Sequence, residues 1–350
     1  MTGRVLLYGA TGYTGGLLAE RLKADGYDLV LAGRNEARLA PLAHGLDLPF
    51  RAVDLQDDRR LDGSLADIAV VLHAAGPFVE TASPMMRACI RAGAHYLDLS
   101  GEWPAFVEAM DLSVAASDAG IMIMPGVGFT VVATDCLLAL SAAQAPDAVK
   151  LRLGISRPGV VTRGTVRSSA GMVSPTALVR RGGALVAAPA GRLTHDFDFG
   201  AGQASATVVS WPDIVTGQFT TGVADIEIYS EADGATRLAY QAYAKASPWV
   251  PPRVWEAMSN ALSLTWPEAP SAEARRNAGF VLVAEAVDRW RRSTRLRLRT
   301  LDGYTVSVLT AGEIVRRVLN GDWKPGFRTP GGLFGGEFIL GLGCAALVPP

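Results

Sequence analysis

Three glycines near the start of the chain recur at every third position, as Gly9, Gly12 and Gly15. They follow the apolar run VLLY at residues 5–8 and come before a stretch with helical periodicity. In that setting Gly9 allows a tight turn, Gly12 lets backbone N–H groups approach a phosphate, and Gly15 lets the helix pack against the sheet. A pyrophosphate lies well at such a helix N-terminus, so the spacing predicts a dinucleotide-binding turn.

The second predicted strand, residues 28–32, is followed by an arginine rather than an acidic residue. An NAD site usually carries Asp or Glu at this place, where it binds the ribose 2′-hydroxyl. Arg34 instead offers a guanidinium that can pair with a 2′-phosphate, and Arg38 follows one helical turn later on the same side. These residues favour NADP(H) over NAD, although Arg34 is also explained as a solvated residue at a strand end.

Asp54 and three loops that follow predicted strands add groups at the carboxyl edge of the sheet, where ligands collect in such folds. Asp54 either accepts from the adenine amino group or forms a turn. Loop 74–78 either passes a cofactor, with its Pro-Phe pair against the nicotinamide, or is a turn before a helix. Loop 98–102 has a hydroxyl and two carboxylates that bind a substrate; in the alternative, Ser100 caps the next helix and Glu102 lies in its first turn. The glycine-rich loop 125–130 binds a ligand or acts as a hinge. The candidates on the substrate side are Phe78, Ser100, Glu102, Gly128, Phe129 and Thr130.

No residue of the sequence stands out as the proton donor that a hydride-transfer reaction requires. The Tyr-x-x-x-Lys pair of short-chain dehydrogenases does not occur. The four histidines are scattered, and each is interpreted as a structural residue. Cys89 and Cys136 lie on apolar helix faces, which indicates packing rather than nucleophilic chemistry. The catalytic residues therefore stay unassigned.

The composition is that of a globular chain with a large core. Of its 350 residues 49% are hydrophobic and 19% are charged, which predicts two domains. Lys and Arg number 33 against 34 Asp and Glu, so no bulk charge attracts nucleic acid or an anionic membrane. The three cysteines are far apart and have no neighbouring histidines, which argues against a disulfide scaffold and a metal site and suits a reducing cytoplasm.

Strand and helix patterns alternate up to about residue 126, and the strands are continuous apolar runs. This pattern is typical of an α/β fold with a doubly wound parallel sheet of Rossmann type, here with six strands. From residue 150 the strand patterns alternate with period two, which predicts a second α+β domain with a mixed or antiparallel sheet.

Further helices are predicted at residues 166–181, 254–262 and 306–320. The apolar stretch 338–348 has 11 residues, and a bilayer requires about 20. It is predicted as a buried or interfacial helix, with contact to a membrane surface as the alternative. The N-terminus reaches its first strand at once, which predicts no signal peptide.

Eight segments of the chain, in the same order and spacing, resemble the saccharopine dehydrogenase-like reductases. The resemblance is strongest to the compact branch that includes trans-acting enoyl reductases. The segments are LYGATGYTG, LAGRN, AAGPF, HYLDLSGE, PGVGFTVVATDCL, SRPGVVTRGTVRSS, SWPDIVTGQFTTGVADIEIY and KPGFRTPGGLFG.

This resemblance implies an NADP-dependent reductase with a Rossmann domain at 1–126, a substrate and dimerisation domain at 127–303, and a segment at 304–350 that returns to the first domain. By motif position it implies three sets of cofactor-binding residues. The pyrophosphate is bound by Gly9, Thr11, Gly12, Tyr13, Thr14 and Gly15. The adenosine phosphate is bound by Arg34 and Asn35, and the nicotinamide side by Ala75, Gly76 and Pro77. The chain departs from the family pattern at Thr130, where Asp is expected, and at Ala133, where Pro is expected.

The family contains two chemistries. Saccharopine-type enzymes reduce an imine, and their substrates carry carboxylates that call for arginines; enoyl reductases reduce the C=C bond of an acyl thioester, which suits an apolar lining. The candidates for binding substrate carboxylates are Arg157, Arg163, Arg167, Arg180 and Arg181. The candidates for an apolar lining are Trp211, Phe219, Trp249 and Trp255.

We favour NADPH-dependent reduction of a C=C bond in an acyl thioester, either a small molecule or bound to a carrier, by a cytoplasmic homodimer. Imine reduction is the alternative within the family. A non-catalytic NADP-binding sensor or assembly protein is the alternative outside enzymes, because the sequence shows no obvious proton donor.

Overall fold

The structure is a computed structural model that describes residues 3–157, 176–251 and 278–349, and between the last two ranges residues 254, 257, 261, 264–266, 270 and 272–276. The chain forms two compact units. The first comprises Met1–Val132 and Tyr304–Leu333, and the second comprises Ala133–Gly303 and Phe334–Pro350. The segment 304–350, expected to return to the first domain, is thus divided between the units.

Strands and helices alternate in the first part of the chain, and strands predominate among the described residues of the second part. The strands are β1 (Val5–Tyr8), β2 (Leu29–Gly33), β3 (Phe50–Ala52), β4 (Val70–His73), β5 (His95–Asp98), β6 (Met122–Met124), β7 (Ala148–Ile155), β8 (Thr176–Arg181), β9 (Ala184–Pro189), β10 (Thr194–Asp198), β11 (Gln203–Val208), β12 (Asp225–Glu231), β13 (Val281–Asp288), β14 (Ser293–Thr300), β15 (Gly326–Phe327) and β16 (Ala345–Val348). The helices are α1 (Tyr13–Ala24), α2 (Glu36–Gly45), α3 (Asp58–Leu65), α4 (Phe78–Ala92), α5 (Trp103–Asp111), α6 (Ser113–Asp118), α7 (Phe129–Gln144), α8 (Asp213–Thr221), α9 (Gly234–Ala246), α10 (Ala272–Arg276), α11 (Gly303–Leu319) and α12 (Pro330–Phe334), with short 3-10 turns at Ser247–Trp249 and Gly336–Leu342.

The first unit contains a parallel sheet in the order β15-β6-β5-β4-β1-β2-β3. The strands β1, β2 and β4 are buried along their whole length, as expected for a parallel sheet covered by helices. Because β1 lies between β2 and β4, the direction of the crossovers reverses there, and ligands bind at the carboxyl ends of the strands beside such a reversal. The predicted doubly wound Rossmann fold is confirmed.

The sheet has one more strand than the six predicted from the sequence. The additional strand is β15, which pairs with β6 through Phe327 and Ile123. A strand of two residues is too short to show any periodicity in the sequence. Phe327 is buried in the core, and its N–H donates to Ser113 Oγ at 3.0 Å.

The second unit contains a mixed sheet whose described strands run in the order β10-β11-β12-β7-β13-β14-β16, with β8 and β9 attached through β12. The pair β12 and β7 is parallel, and the other pairs are antiparallel. This confirms the predicted second α+β domain with a mixed sheet. The helix α7 begins in the first unit and continues into the second.

Three helices that the sequence predicts in the later part of the chain are not found as predicted among the described residues. Within 166–181 the described residues 176–181 form β8, so the helix is wrong there, and the remainder lies outside the described residues. The helix predicted at 254–262 lies largely outside the described residues. The helix predicted at 338–348 is wrong: the chain forms a 3-10 turn and then β16, because β16 completes the hydrogen bonds of β14 at the sheet edge. Among the helices that the structure describes, none has the length and apolar character to cross a bilayer.

Charged side chains of the second sheet surround a buried carboxylate on β12. Glu227 is 1% exposed, and Lys150 Nζ and Arg152 Nε lie 2.7 and 3.2 Å from its carboxylate. Arg181 forms a third ion pair with it, and Tyr229 donates its hydroxyl at 3.0 Å. Burial by itself raises the pKa of Glu227, but the hydrogen bond and charge of Lys150 and the charge of Arg181 outweigh it, so the pKa lies below its usual value.

We expect the substitution Glu227→Gln to destabilise the second unit. It leaves three cations around a neutral side chain, and breaking a buried ion pair on one side costs about 3 kcal/mol. Calorimetry should show a lower unfolding temperature. The control is Arg157→Gln, which removes an exposed pair with Asp233 at 3.1 Å and should cost less than about 1 kcal/mol. Equal losses in the two variants would contradict the importance of the network.

Candidate functional site

The predicted glycine turn joins β1 to α1. Gly9 has a φ of +89°, which is strained for other residues, and a Cβ on it would lie 2.8 Å from the backbone of Ala74 and Ala75. A Cβ on Gly15 would collide with the carbonyl oxygen of Gly9. Gly12 differs, because the nearest atom to its Cβ position is 3.4 Å away. The turn therefore packs tightly on the protein side and leaves room at the N-terminus of α1.

The first turn of α1 is suited to an anion. Gly12 is the N-cap residue and provides no capping side chain, so the N-terminal N–H groups of α1 receive no cap from that position. Thr11 and Thr14 lie half-buried beside it. The ring of Tyr13 packs edge-on against Tyr304 of α11, with ring centroids 5.1 Å apart.

The positively charged residues after β2 lie next to the glycine turn. Arg34 is exposed directly after the strand, and Asn35 caps α2 by accepting from the N–H of Arg38 at 3.1 Å. Arg38 Nη2 donates to the carbonyl oxygen of Thr11 at 3.4 Å, which connects α2 to the glycine turn. Asp54 is exposed, and its Oδ1 accepts from the N–H of Gln56 at 3.0 Å, which is the turn predicted as the alternative to an adenine contact.

The loop after β4 carries the predicted nicotinamide residues. Gly76 and Pro77 are exposed and Ala75 is half-buried. The hydroxyl of Thr81, in the first turns of α4, lies 2.7 Å from the carbonyl oxygen of Ala75 and 2.9 Å from that of Pro77. Phe78 is buried at 7% exposure, so its ring lies in the core rather than at the surface of the loop.

His73, the last residue of β4, lies beneath this loop. It is fully buried, its ring packs edge-on against Phe78 at 5.4 Å, and its Nε2 lies 3.0 Å from Thr81 Oγ1. Its Nδ1 is buried and has no hydrogen-bond partner among the described residues. Burial lowers the pKa of His73 to about 3, which keeps the ring neutral.

The segment after β5 places its polar groups inside the protein. Asp98 is fully buried, and its carboxylate accepts from the hydroxyl of Tyr96 at 2.7 Å. It also accepts from the N–H groups of Ser100 at 2.8 Å and Gly126 at 2.7 Å. Burial raises the pKa of Asp98 to about 6, and these donors oppose the rise.

Ser100 and Glu102 are buried as well, although the sequence predicted them as groups on the substrate side. Ser100 Oγ accepts from the N–H of Glu102 at 3.1 Å. Glu102 Oε2 accepts from the N–H of Val79 at 2.8 Å, so it caps α4, not the helix that follows it in the chain. Burial raises the pKa of Glu102, and the N–H groups of Val79 and Phe78 oppose this rise.

The third loop, after β6, is held from two sides. Its Val127 N–H donates to the carbonyl oxygen of Asp98 at 2.7 Å, and its Val127 oxygen accepts from Thr310 of α11 at 2.8 Å. Phe129 donates its N–H to Ser307 Oγ at 3.0 Å.

Gly128 and Thr130, the two other candidates of this loop, are closely surrounded by neighbouring atoms. A Cβ on Gly128 would lie 2.9 Å from Ser307 Oγ, and one on Gly101 would lie 2.7 Å from the methyl group of Thr130.

The structure thus gathers the glycine turn, the three loops and the start of α11 at one edge of the first sheet. Sequence reasoning missed His73 as a member of this group and missed Tyr304, Ser307 and Thr310 altogether. The polar and aromatic groups at the start of α11 are visible in the sequence, but nothing local indicates which loops they meet. No cluster of three or more His, Cys, Asp or Glu side chains within the described ranges could hold a metal ion.

A family model, the saccharopine dehydrogenase NADP-binding domain, matches residues 5–124. Curated relatives include the trans-acting enoyl reductase of Mycobacterium bovis, 34% identical over 139 residues, and that of Mycobacterium ulcerans, 32% identical over 141 residues. Each match covers 37% of this chain and 33% of the relative, so the matched part is about a third of the length of these relatives.

Solved structures extend the similarity of fold to the whole chain. Apo saccharopine dehydrogenase (L-Glu forming) from Saccharomyces cerevisiae has a TM-score of 0.66 at 13% identity, with 99% of this chain and 100% of that chain covered. Homospermidine synthase from Legionella pneumophila in complex with NAD has a TM-score of 0.64 at 9% identity, with 99% and 92% covered.

The predicted resemblance is therefore confirmed. Residues 5–124 match the saccharopine dehydrogenase NADP-binding domain, and the whole chain shares the fold of saccharopine dehydrogenase. The family supports a nicotinamide dinucleotide as the cofactor of the first unit.

We expect His73→Gln to make the first unit less sensitive to acid. The folded pKa of about 3 lies below the unfolded value of about 6.5, so stability is complete above pH 6.5 and is lost as the pH falls towards 3. The loss reaches about 1.4 kcal/mol per pH unit, because only the unfolded chain binds the proton. Urea unfolding between pH 7 and 5 should show a shallower pH dependence in the variant.

The control for this measurement is His44→Gln, which replaces an exposed histidine of α2. If the pH dependence of stability is the same in His73→Gln as in the unaltered protein, protonation of His73 is not the cause of the loss of stability in acid.

Proposed function

We propose that this chain is an NADPH-dependent reductase that reduces the C=C bond of an acyl thioester. The observation that carries the proposal is the N-terminus of α1, where Gly12 provides no side-chain cap and Arg38 donates to the carbonyl oxygen of Thr11. Arg34 follows the neighbouring strand β2 directly, and the segment matches the saccharopine dehydrogenase NADP-binding domain. A helix N-terminus with nearby guanidinium groups is suited to a ligand with several phosphates.

The residues of the first unit fit this cofactor in three places. The N–H groups in the first turn of α1, at Tyr13 and Thr14, would hold the pyrophosphate, and the room beside Gly12 fits a phosphate that a side chain would displace. Arg34 would hold the 2′-phosphate, and the exposed loop at Gly76 would border the nicotinamide. When bound, NADPH supplies the hydride.

The described members of the five arginine candidates already make other contacts, which favours an acyl substrate over an imine that carries carboxylates. Arg157 is paired with Asp233, and Arg181 with Glu227. Arg180 is buried and donates to the carbonyl oxygen of Ile214 at 2.5 Å. Arg163 and Arg167, the other two arginines considered, lie outside the described residues.

The aromatic candidates of the second unit offer apolar surface. Trp249 is 86% exposed and Phe219 is 43% exposed, while Trp211 is half-buried. Trp255 lies outside the described residues. Together with the curated relatives named trans-acting enoyl reductases, these accessible aromatic side chains support a substrate with an acyl chain, either a small molecule or bound to a carrier.

We expect Arg34→Ala to remove most of the preference for NADPH over NADH. The variant loses charge-assisted hydrogen bonds to the 2′-phosphate, which NADH does not have, so the Kd for NADPH should rise about 10- to 100-fold while that for NADH stays the same. Fluorescence titration measures both constants. The control is Arg21→Ala, which removes an exposed pair with Asp25 at the opposite end of α1. Equal affinity of the unaltered protein for both cofactors would refute the NADPH assignment.

We expect the NADPH-loaded protein to oxidise its cofactor when an enoyl thioester is added. Stopped-flow absorbance at the nicotinamide band follows the oxidation, and mass spectrometry should find the saturated thioester. A mixture of an amine and a keto acid serves as the comparison, because an imine reductase reacts with that mixture instead. A protein that binds NADPH tightly and reacts with neither would be the non-catalytic sensor or assembly protein.

A further inference from the structure

We infer that Asp98 and Glu102 form a two-carboxylate clamp that positions the loops on either side of β5 and does not contact the substrate. The inference deepens the proposed function, since the two loops border the place proposed for the nicotinamide and the reacting bond. Asp98 and Glu102 are separated by only three residues, yet each carboxylate holds backbone of a different loop.

Glu102 holds the loop after β4. Val79 is in the first turn of α4, where a helix provides no carbonyl partner for its N–H groups. The N-cap residue Pro77 provides no side-chain acceptor either, and Glu102 Oε2 takes that place at 2.8 Å from the Val79 nitrogen. A carboxylate at a helix N-terminus is also favoured by the helix dipole. The direction in which α4 leaves Gly76 and Pro77 thus depends on Glu102.

Asp98 holds the loop after β6. Its Oδ1 accepts from the N–H of Gly126, and its carbonyl oxygen accepts from that of Val127. Gly126 has a φ of +73°, and a Cβ on it would lie within 3 Å of Val131 and Phe106, so the loop makes a tight bend at this point. The two hydrogen bonds that Asp98 accepts fix the bend. They therefore also position Gly128 and Phe129, which come directly after it in the chain.

Burial argues against a direct role with the substrate for both residues. Asp98 is 0% and Glu102 is 4% exposed, and Glu102 Oε1 is buried without a hydrogen-bond partner among the described residues. Ser100, between them, is 0% exposed and connects them: it donates its N–H to Asp98, and its Oγ accepts the N–H of Glu102. The segment acts as one hydrogen-bonded unit beneath both loops.

Amide hydrogen exchange of the full chain without cofactor tests the clamp directly. Because α4 offers the Val79 N–H no other acceptor, Glu102→Ala should speed its exchange at least about tenfold, and Asp98→Ala should do the same at Gly126. Glu102→Gln and Asp98→Asn keep an acceptor oxygen and should restore most of the protection. The same two alanine variants should raise the Kd for NADPH about tenfold, and the conservative variants should recover most of the affinity.

The matched control is Arg91→Ala at the opposite end of α4, about 20 Å from Phe78. Arg91 pairs with Asp62 of α3 at 2.7 Å, so its loss loosens the helix without touching its first turn. Exchange at Val79 should stay slow in this variant. Unchanged exchange at Val79 in Glu102→Ala, or equally fast exchange in Arg91→Ala, would overturn the clamp.

The exchange and binding results also separate the clamp from the proposed function. If the unaltered chain binds no NADPH, the proposed function fails while the exchange data still report on the clamp. If Glu102→Gln binds NADPH as poorly as Glu102→Ala although its Val79 amide is protected, the charge of Glu102 acts on the ligand, and the inference that it only positions the loop is wrong.

Discussion

The first unit depends on one constraint: polar groups at the ends of its central strands are buried, and a buried charge there is stable only where donors inside the protein hold it. Asp98 shows the constraint most clearly, since its fully buried carboxylate accepts from Tyr96, Ser100 and Gly126. A buried carboxylate without such donors would cost several kcal/mol. The loops around β5 therefore adopt the backbone that brings these donors to the charge, and the shape of the candidate site follows from that requirement.

A constraint of space connects the glycine turn to the same arrangement. Gly9 lies so close to Ala74 and Ala75 that no side chain fits between the loops after β1 and β4. The Ala75 carbonyl oxygen in turn lies 2.7 Å from the hydroxyl of Thr81 on α4, whose first turn Glu102 caps. A displacement of the glycine turn would therefore also displace the first turn of α4. The backbone proposed to bind the phosphates and the backbone proposed to border the nicotinamide belong to one packed and hydrogen-bonded assembly.

The features that could be predicted from the sequence are those that short spacing determines. The glycine turn and the parallel strands of the first unit are of this kind, because a few neighbouring residues specify them. Glu102 was predicted either to meet the substrate or to lie in the first turn of the next helix, whereas it caps a helix 23 residues earlier in the chain. The bond between Phe129 and Ser307 spans 178 residues. Contacts at such separations depend on the completed fold, and no local pattern contains them.

The two units use their charges in different ways, and this difference bears on recognition. With a net charge of -1 the chain has no general attraction for a polyanion, which is why we propose that local groups, the N-terminus of α1 and Arg34, hold the phosphates of the cofactor. In the second unit, Arg152 and Arg181 are committed to the buried Glu227. A substrate carboxylate could recruit them only by leaving that anion short of partners, which is costly at this depth. Binding through apolar surface avoids this cost, so Arg152 and Arg181 are poorly suited to hold the carboxylates of an amino-acid-derived imine.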